Sequence, residues 1–150
     1  MKRVTLLLIG FLPLLFGIIQ HHLMMTVFFD TLIPGSLIGI AVLVIWFFIG
    51  ILSIKFVSSK KEAIIFVNAP AFLVLLLILF QEIVLNAFWR NNIGLGTQFF
   101  YLPLIGLTRH LSLIFPIGSF SNMSVLAFIC LFGASYFGRV VVERRKNKHD

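Results

Sequence analysis

Four long apolar runs, each closed by polar or charged residues, set out the plan of this chain. They cover residues 4–29, 32–56, 63–89 and 123–142, and each reaches the roughly 20 residues that a membrane-crossing helix needs. None shows the strict alternation of a half-buried strand. The pattern predicts an all-α integral membrane protein, a single membrane domain over 1–150, with four transmembrane helices. Between the third and fourth runs, the stretch 81–116 breaks the apolar pattern with Glu82, Arg90, Arg109 and His110, and its placement decides the threading.

The ends of the runs carry the punctuation expected of helices. Lys2 and Arg3 precede the first run, which continues through Gln20, His21 and His22 without a small-residue cleavage site, so it reads as an uncleaved span. Pro13 and Gly17 predict a bend within it. Asp30, Thr31 and Pro34 make a turn with a cap and an early proline. In the second run Gly35 and Gly39 have the G-x-x-x-G spacing that lets two helix backbones approach, within the chain or across a dimer. Lys55 to Glu62 form a basic loop, and Pro70 predicts a kink in the third run, with Asn68 beside it to help satisfy freed polar groups. The fourth run, capped by Ser121 or Asn122, repeats small residues at Cys130, Ala134 and Gly138, with Ala127 and Gly133 adjacent. That side is expected to face the other helices. Residues 143–150 read as a disordered tail.

Charge then chooses between four crossings and five. Of the 12 Lys and Arg, a four-span threading places all but Arg90 and Arg109 on one side. A fifth crossing through 97–118 would leave Lys2, Arg3, Lys55, Lys60 and Lys61 on one side and most of the remaining basic residues on the other. Cytoplasmic loops retain Lys and Arg, so the bias favours four spans with both termini cytoplasmic. Pro103 suits a helix start and Pro116 a stop, and a helix over 103–115 would be only about 20 Å long. Leu104, Leu107, Leu111, Ile114 and Phe115 fall on one face of it, with Gly106, Thr108, Arg109 and Ser112 on the other. This predicts a short amphipathic interfacial or re-entrant helix on the outer side.

Composition narrows the function without supplying it. With 60% hydrophobic and 11% charged residues, the chain lies far from the roughly 25% charged of a soluble domain. The net charge of +7 sits at the ends of apolar runs, which argues against nucleic acid and for the lipid bilayer, with anionic lipid a partner for the basic tail. The outline, four spans with an outer helix before the last, resembles the membrane enzymes related to vitamin K epoxide reductase. Those enzymes work through paired cysteines, and Cys130 is the only cysteine here. Lipoprotein signal peptidases have a similar outline but use two aspartates, whereas Asp30 is the sole aspartate outside the tail.

The remaining candidates are an outer polar cluster of His21, Glu82, Asn86, Arg90, Arg109 and His110, and the packing residues Gly35, Gly39, Cys130, Ala134 and Gly138. Glu82 and Arg109 are expected to pair. His21 and His22 are adjacent and cannot easily turn to one ion, so neither a metal nor another cofactor is expected. No catalytic set stands out. The expectation is a non-enzymatic accessory, assembly or immunity-like subunit of a bacterial plasma membrane, acting by helix packing against a membrane protein partner or a second copy. The alternative is a small transporter or ligand-binding protein that uses the outer polar cluster.

Overall fold

The computed structural model describes residues 2–26, 35–112 and 119–146. The expectations for Asp30, Thr31, Pro34, Ile114, Phe115, Pro116 and the last residues of the tail lie outside them. The described residues are helical, with no strand. The helices are α1 (Lys2–Ile9), α2 (Leu12–Thr26), α3 (Gly35–Leu52), α4 (Lys60–Leu79), α5 (Asn92–Ser112) and α6 (Phe120–Lys146). Four stretches, Lys2–Thr26, Gly35–Lys55, Lys60–Val84 and Phe120–Arg145, are long and apolar enough to cross a membrane.

Proline and glycine shape these helices together. The first span breaks at Gly10 and Phe11, where the hydrogen bonds tighten to Phe11 N–H on Leu8 and Leu14 N–H on Phe11, because Pro13 offers no N–H to the preceding turn. A Cβ on Gly10 would lie 2.6 Å from the Val67 carbonyl oxygen and 2.7 Å from Pro70 Cγ. The bend thus nests against the proline-bearing turn of α4. There the helix carries Pro70 without interruption from Lys60 to Leu79.

Two element ends depart from the sequence reading. The third span stops at Val84, not Trp89, after a π-helical turn over Phe80–Val84. Asn86 then takes φ 48°, a left-handed conformation that asparagine tolerates better than most side chains and that ends helices. The fourth span starts on Ser119, whose hydroxyl accepts the Asn122 N–H at 3.4 Å, so Ser119 is the cap in place of Ser121 or Asn122. It continues to Lys146, past the expected start of the tail, because Glu, Arg and Lys are good helix formers and Glu143 pairs with Arg139 one turn earlier.

The larger correction is α5. It has 21 residues, about 31 Å of helix, and begins at Asn92, not Pro103. Asn91 is the actual start signal, its side chain accepting the Gly94 N–H at 2.9 Å. Pro103 lies inside the helix and leaves the Phe99 carbonyl without its usual donor. That carbonyl is the atom against which Gly17 of α2 packs. On the other side Gly39 of α3 meets Leu107 and the Pro103 carbonyl, and Gly35 meets Gly106. The expected polar face also fails at Thr108, which is fully buried and bonds the Leu104 carbonyl, while Leu111 is exposed.

Contacts at two points along α5, nine residues apart, define its attitude. Thr97 meets Gln81 at the close of α4, and Gly106 meets Gly35 at the opening of α3. Both lie at the end of the bundle opposite Ser53, Lys60 and Arg139. The helix therefore lies across that end and fills its centre with Phe100, Tyr101 and Leu104, all fully buried beside Trp46, Val67, Ala71 and Leu131. Tyr101 completes the junction by donating its hydroxyl to the Ala71 carbonyl at 2.6 Å.

Candidate functional site

The residues expected to form one outer polar cluster occupy separate places. The His21 ring lies on Phe99, centroids 4.8 Å apart. Asn86 is exposed at the end of the third span, and Arg90 helps line a shallow hollow with Phe88, Trp89 and Gln98. Arg109 and His110 are exposed in the last turn of α5, where positive charge complements the helix dipole. Among the described residues no salt bridge joins Glu82 to Arg109 or to Arg90. Glu82 instead accepts the Ser121 N–H at 2.8 Å. The first turn of α6 has N–H groups with no partner inside the helix, and a carboxylate satisfies one while meeting the positive end of the dipole.

The packing residues are distributed across two junctions. Gly35 and Gly39 face α5, within the chain. Gly138 lies against the Phe47 carbonyl of α3, and Gly50 of α3 lies against the backbone at Ser135. The two glycines let α3 and α6 cross with their backbones in contact. The inward face of α6 is centred on Ala127, Leu131, Ser135 and Gly138, with Cys130 and Ala134 half-buried at its edge. Gly133 faces open space.

Sequence reasoning missed a buried guanidinium. Arg139 is 1% exposed. Its Nε donates to Glu143 at 2.9 Å, Nη1 to the Ser53 hydroxyl at 3.3 Å, and Nη2 to the carbonyls of Val57 at 3.0 Å and Ser58 at 2.6 Å. These carbonyls belong to the turn after α3, so one side chain gathers groups that the end of a helix leaves unpaired. The sequence signal was present: Val140, Val141 and Val142 continue the apolar run beyond Arg139, which makes it an ionisable residue within a span and not a flank. Around it, Lys60 Nζ lies 4.3 Å above the Tyr136 ring, and Arg3 pairs with Glu62 at 2.8 Å.

A second polar tie sits deeper. Asn68 donates to the Ile64 carbonyl and to the Ser135 hydroxyl, both at 2.9 Å, and receives the Trp46 indole N–H at 3.4 Å. It joins α3, α4 and α6 at one point. Gln81 does the same at the opposite end, reaching Thr97 and accepting the Trp89 N–H at 2.9 Å.

Among the described residues, one buried side-chain polar atom has no hydrogen-bond partner. Gln20 Oε1 of α2 is shielded and makes no hydrogen bond. The rest of the residue borders an apolar cleft of about 320 Å³ between α2 and α3, walled by Phe16, Ile19, Leu23 and Met24 on one side and Ile38 and Val42 on the other. The cleft exists because α2 and α3 each pack closely on α5, through Gly17 and Gly39, so α5 acts as a spacer between them. Among the described residues no three His, Cys, Asp or Glu side chains gather as a metal site would require. Compared with known protein families, curated proteins and solved structures, the chain matches none.

Proposed function

We propose that the chain is a multi-pass protein of a bacterial plasma membrane with both termini and the Lys55–Glu62 loop in the cytoplasm. In this reading α5 is a re-entrant helix in the outer half of the bilayer. The protein acts without catalysis, as an accessory, assembly or immunity-like subunit that presents a rigid bundle to a membrane partner. The observation that carries this reading is how the buried polar side chains are used. Asn68 of α4 donates to Ser135 of α6, Gln81 reaches Thr97 of α5, and Arg139 of α6 closes on Ser53 and the turn after α3, so the costly interior polarity holds helices together. A transporter would keep such groups for its cargo.

The test is photo-crosslinking in living cells from single apolar exposed positions, Leu15 on α2, Val44 on α3, Leu73 on α4 and Phe137 on α6. A discrete protein adduct from one or two neighbouring positions is expected. Equal lipid-only labelling from all four, with a single chain per particle on native gels, would contradict a packing role.

A further inference from the structure

We propose that the groove between α4 and α6 is a site for one anionic phospholipid of the cytoplasmic leaflet, with an acyl chain along the groove and the phosphate at Lys60 and Lys61. The proposal rests on the membrane insertion and threading argued above and goes beyond the packing role.

Two hollows of about 340 and 410 Å³, which share Ile64, Ile65 and Phe132, make up the groove. One wall is α4. The other is a ladder of rings on α6, Phe128, Phe132 and Tyr136, with successive centroids 6.2 and 6.4 Å apart. The groove reaches Phe72 and Leu73 at one end and Lys60 and Lys61 at the other. From Ile64 to Leu73 its apolar stretch advances nine residues, about 14 Å. One leaflet supplies about half of a hydrocarbon core of about 30 Å. The groove therefore matches an acyl chain in length, and the lysines lie one turn further out, at the depth of headgroup phosphates.

Charge at that mouth specifies the headgroup. Lys60 Nζ is held 4.3 Å above the Tyr136 ring and donates to its hydroxyl at 3.3 Å. Two carboxylates lie nearby, and arginines already take both: Glu62 pairs with Arg3 at 2.8 Å and Glu143 with Arg139 at 2.9 Å. Lys60 is left 3.9 Å from Glu143, and the exposed Lys61 has no carboxylate partner among the described residues. Both lysines line the apolar hollow, and such side chains lay their stems on apolar surface while the ammonium groups stay at the polar rim. Incompletely neutralised cations above an acyl-sized groove call for an anion that carries a hydrocarbon chain. A partner helix fits less well. Close helix packing in lipid uses small residues, and among the described residues lining the groove only Ala69 is small and apolar.

The experiment uses the full chain in phosphatidylcholine vesicles, with phosphatidylglycerol carrying a mid-chain diazirine as the probe and phosphatidylcholine of the same chains and diazirine as the comparison. Co-flotation of protein with vesicles is scored first. A chain that does not float refutes the membrane reading and the site with it, whereas a floating chain without groove labelling refutes the site alone. Labelling within residues 64–73 and 128–136 is expected, displaced when unlabelled phosphatidylglycerol replaces bulk lipid. Each basic residue near a membrane surface strengthens binding of anionic lipid about fivefold. With Lys60 partly neutralised by Glu143, the anionic probe should label about tenfold more than the zwitterionic one at equal low mole fraction. Lys60→Gln with Lys61→Gln should erase that difference. Arg144→Gln with Arg145→Gln removes the same charge from exposed positions on α6 and should preserve it. The comparison of the two probes needs no variant and stands if either double variant misfolds. Equal labelling by the two probes, labelling spread over all lipid-facing helices, or a preference lost with Arg144 and Arg145 and not with the lysines would overturn the proposal. So would exclusion of both probes with two chains per particle, which would put a second copy in the groove.

Discussion

At the scale of single residues, the fold depends most on Arg139. A charge removed from water is costly unless it is paired and fully hydrogen-bonded, and this guanidinium meets one carboxylate, one hydroxyl and two carbonyls. Taking away one member of such a buried set costs about 3–5 kcal/mol. Arg139→Met is therefore expected to lose about 3 kcal/mol or more in reversible unfolding in detergent. Arg139→Lys should recover less than half of it, because a point-like ammonium cannot span acceptors arranged for a planar fork. An unchanged unfolding midpoint for Arg139→Met would show that the clamp is dispensable. By contrast, Arg3 with Glu62 is well exposed, and breaking it should cost less than about 1 kcal/mol. The Glu82 partner was illegible in the sequence for a related reason. Side-chain charges can be read and paired on paper, but the donor that Glu82 uses is the Ser121 backbone N–H, which exists as an unpaired group only because a helix begins there.

At the scale of elements, close approach of backbones decides which helices meet. A Cβ at Gly138 would fall on the Phe47 carbonyl, whereas a Cβ at Gly133 has no neighbour within 4 Å. Gly138→Leu should thus destabilise by about 1–3 kcal/mol or more, seen as a lower midpoint in the same unfolding assay. Gly133→Leu should be neutral or raise stability by up to about 1 kcal/mol, since glycine is a poor helix former. Equal effects at the two positions would mean that α6 packs on another face. The existence and rough limits of four apolar helices were legible because length and hydropathy report them directly. The face of α6 was legible only in part: counting small residues finds Gly138 but misses Leu131 and Ser135, whose inward position follows from their partners on other helices. The extent of α5 is not legible in the sequence, because Pro103 reads as a helix start. Proline is tolerated inside a helix when a neighbour comes close to the freed carbonyl, and that neighbour, Gly17, is 86 residues away along the chain.

At the scale of the molecule, α5 is the element on which the account turns. It is about as long as a hydrocarbon core is thick, so length no longer argues against a fifth crossing. What argues against it is attitude: Thr97 near Gln81 and Gly106 near Gly35 hold both parts of the helix at one end of the bundle. The same attitude creates the cleft beside Gln20, which no inspection of one run at a time could reveal, since it requires two helices resting on a third. The parity of crossings tests this directly. In a Cys130→Ser background, Lys61→Cys, Ile93→Cys and Arg145→Cys are each exposed to a membrane-impermeant thiol reagent in intact cells, and again after permeabilisation. If α5 does not cross, positions 61 and 145 share the cytoplasmic side, and only 93 is labelled before permeabilisation. Labelling of 145 together with 93 in intact cells would require a fifth crossing and would contradict the account.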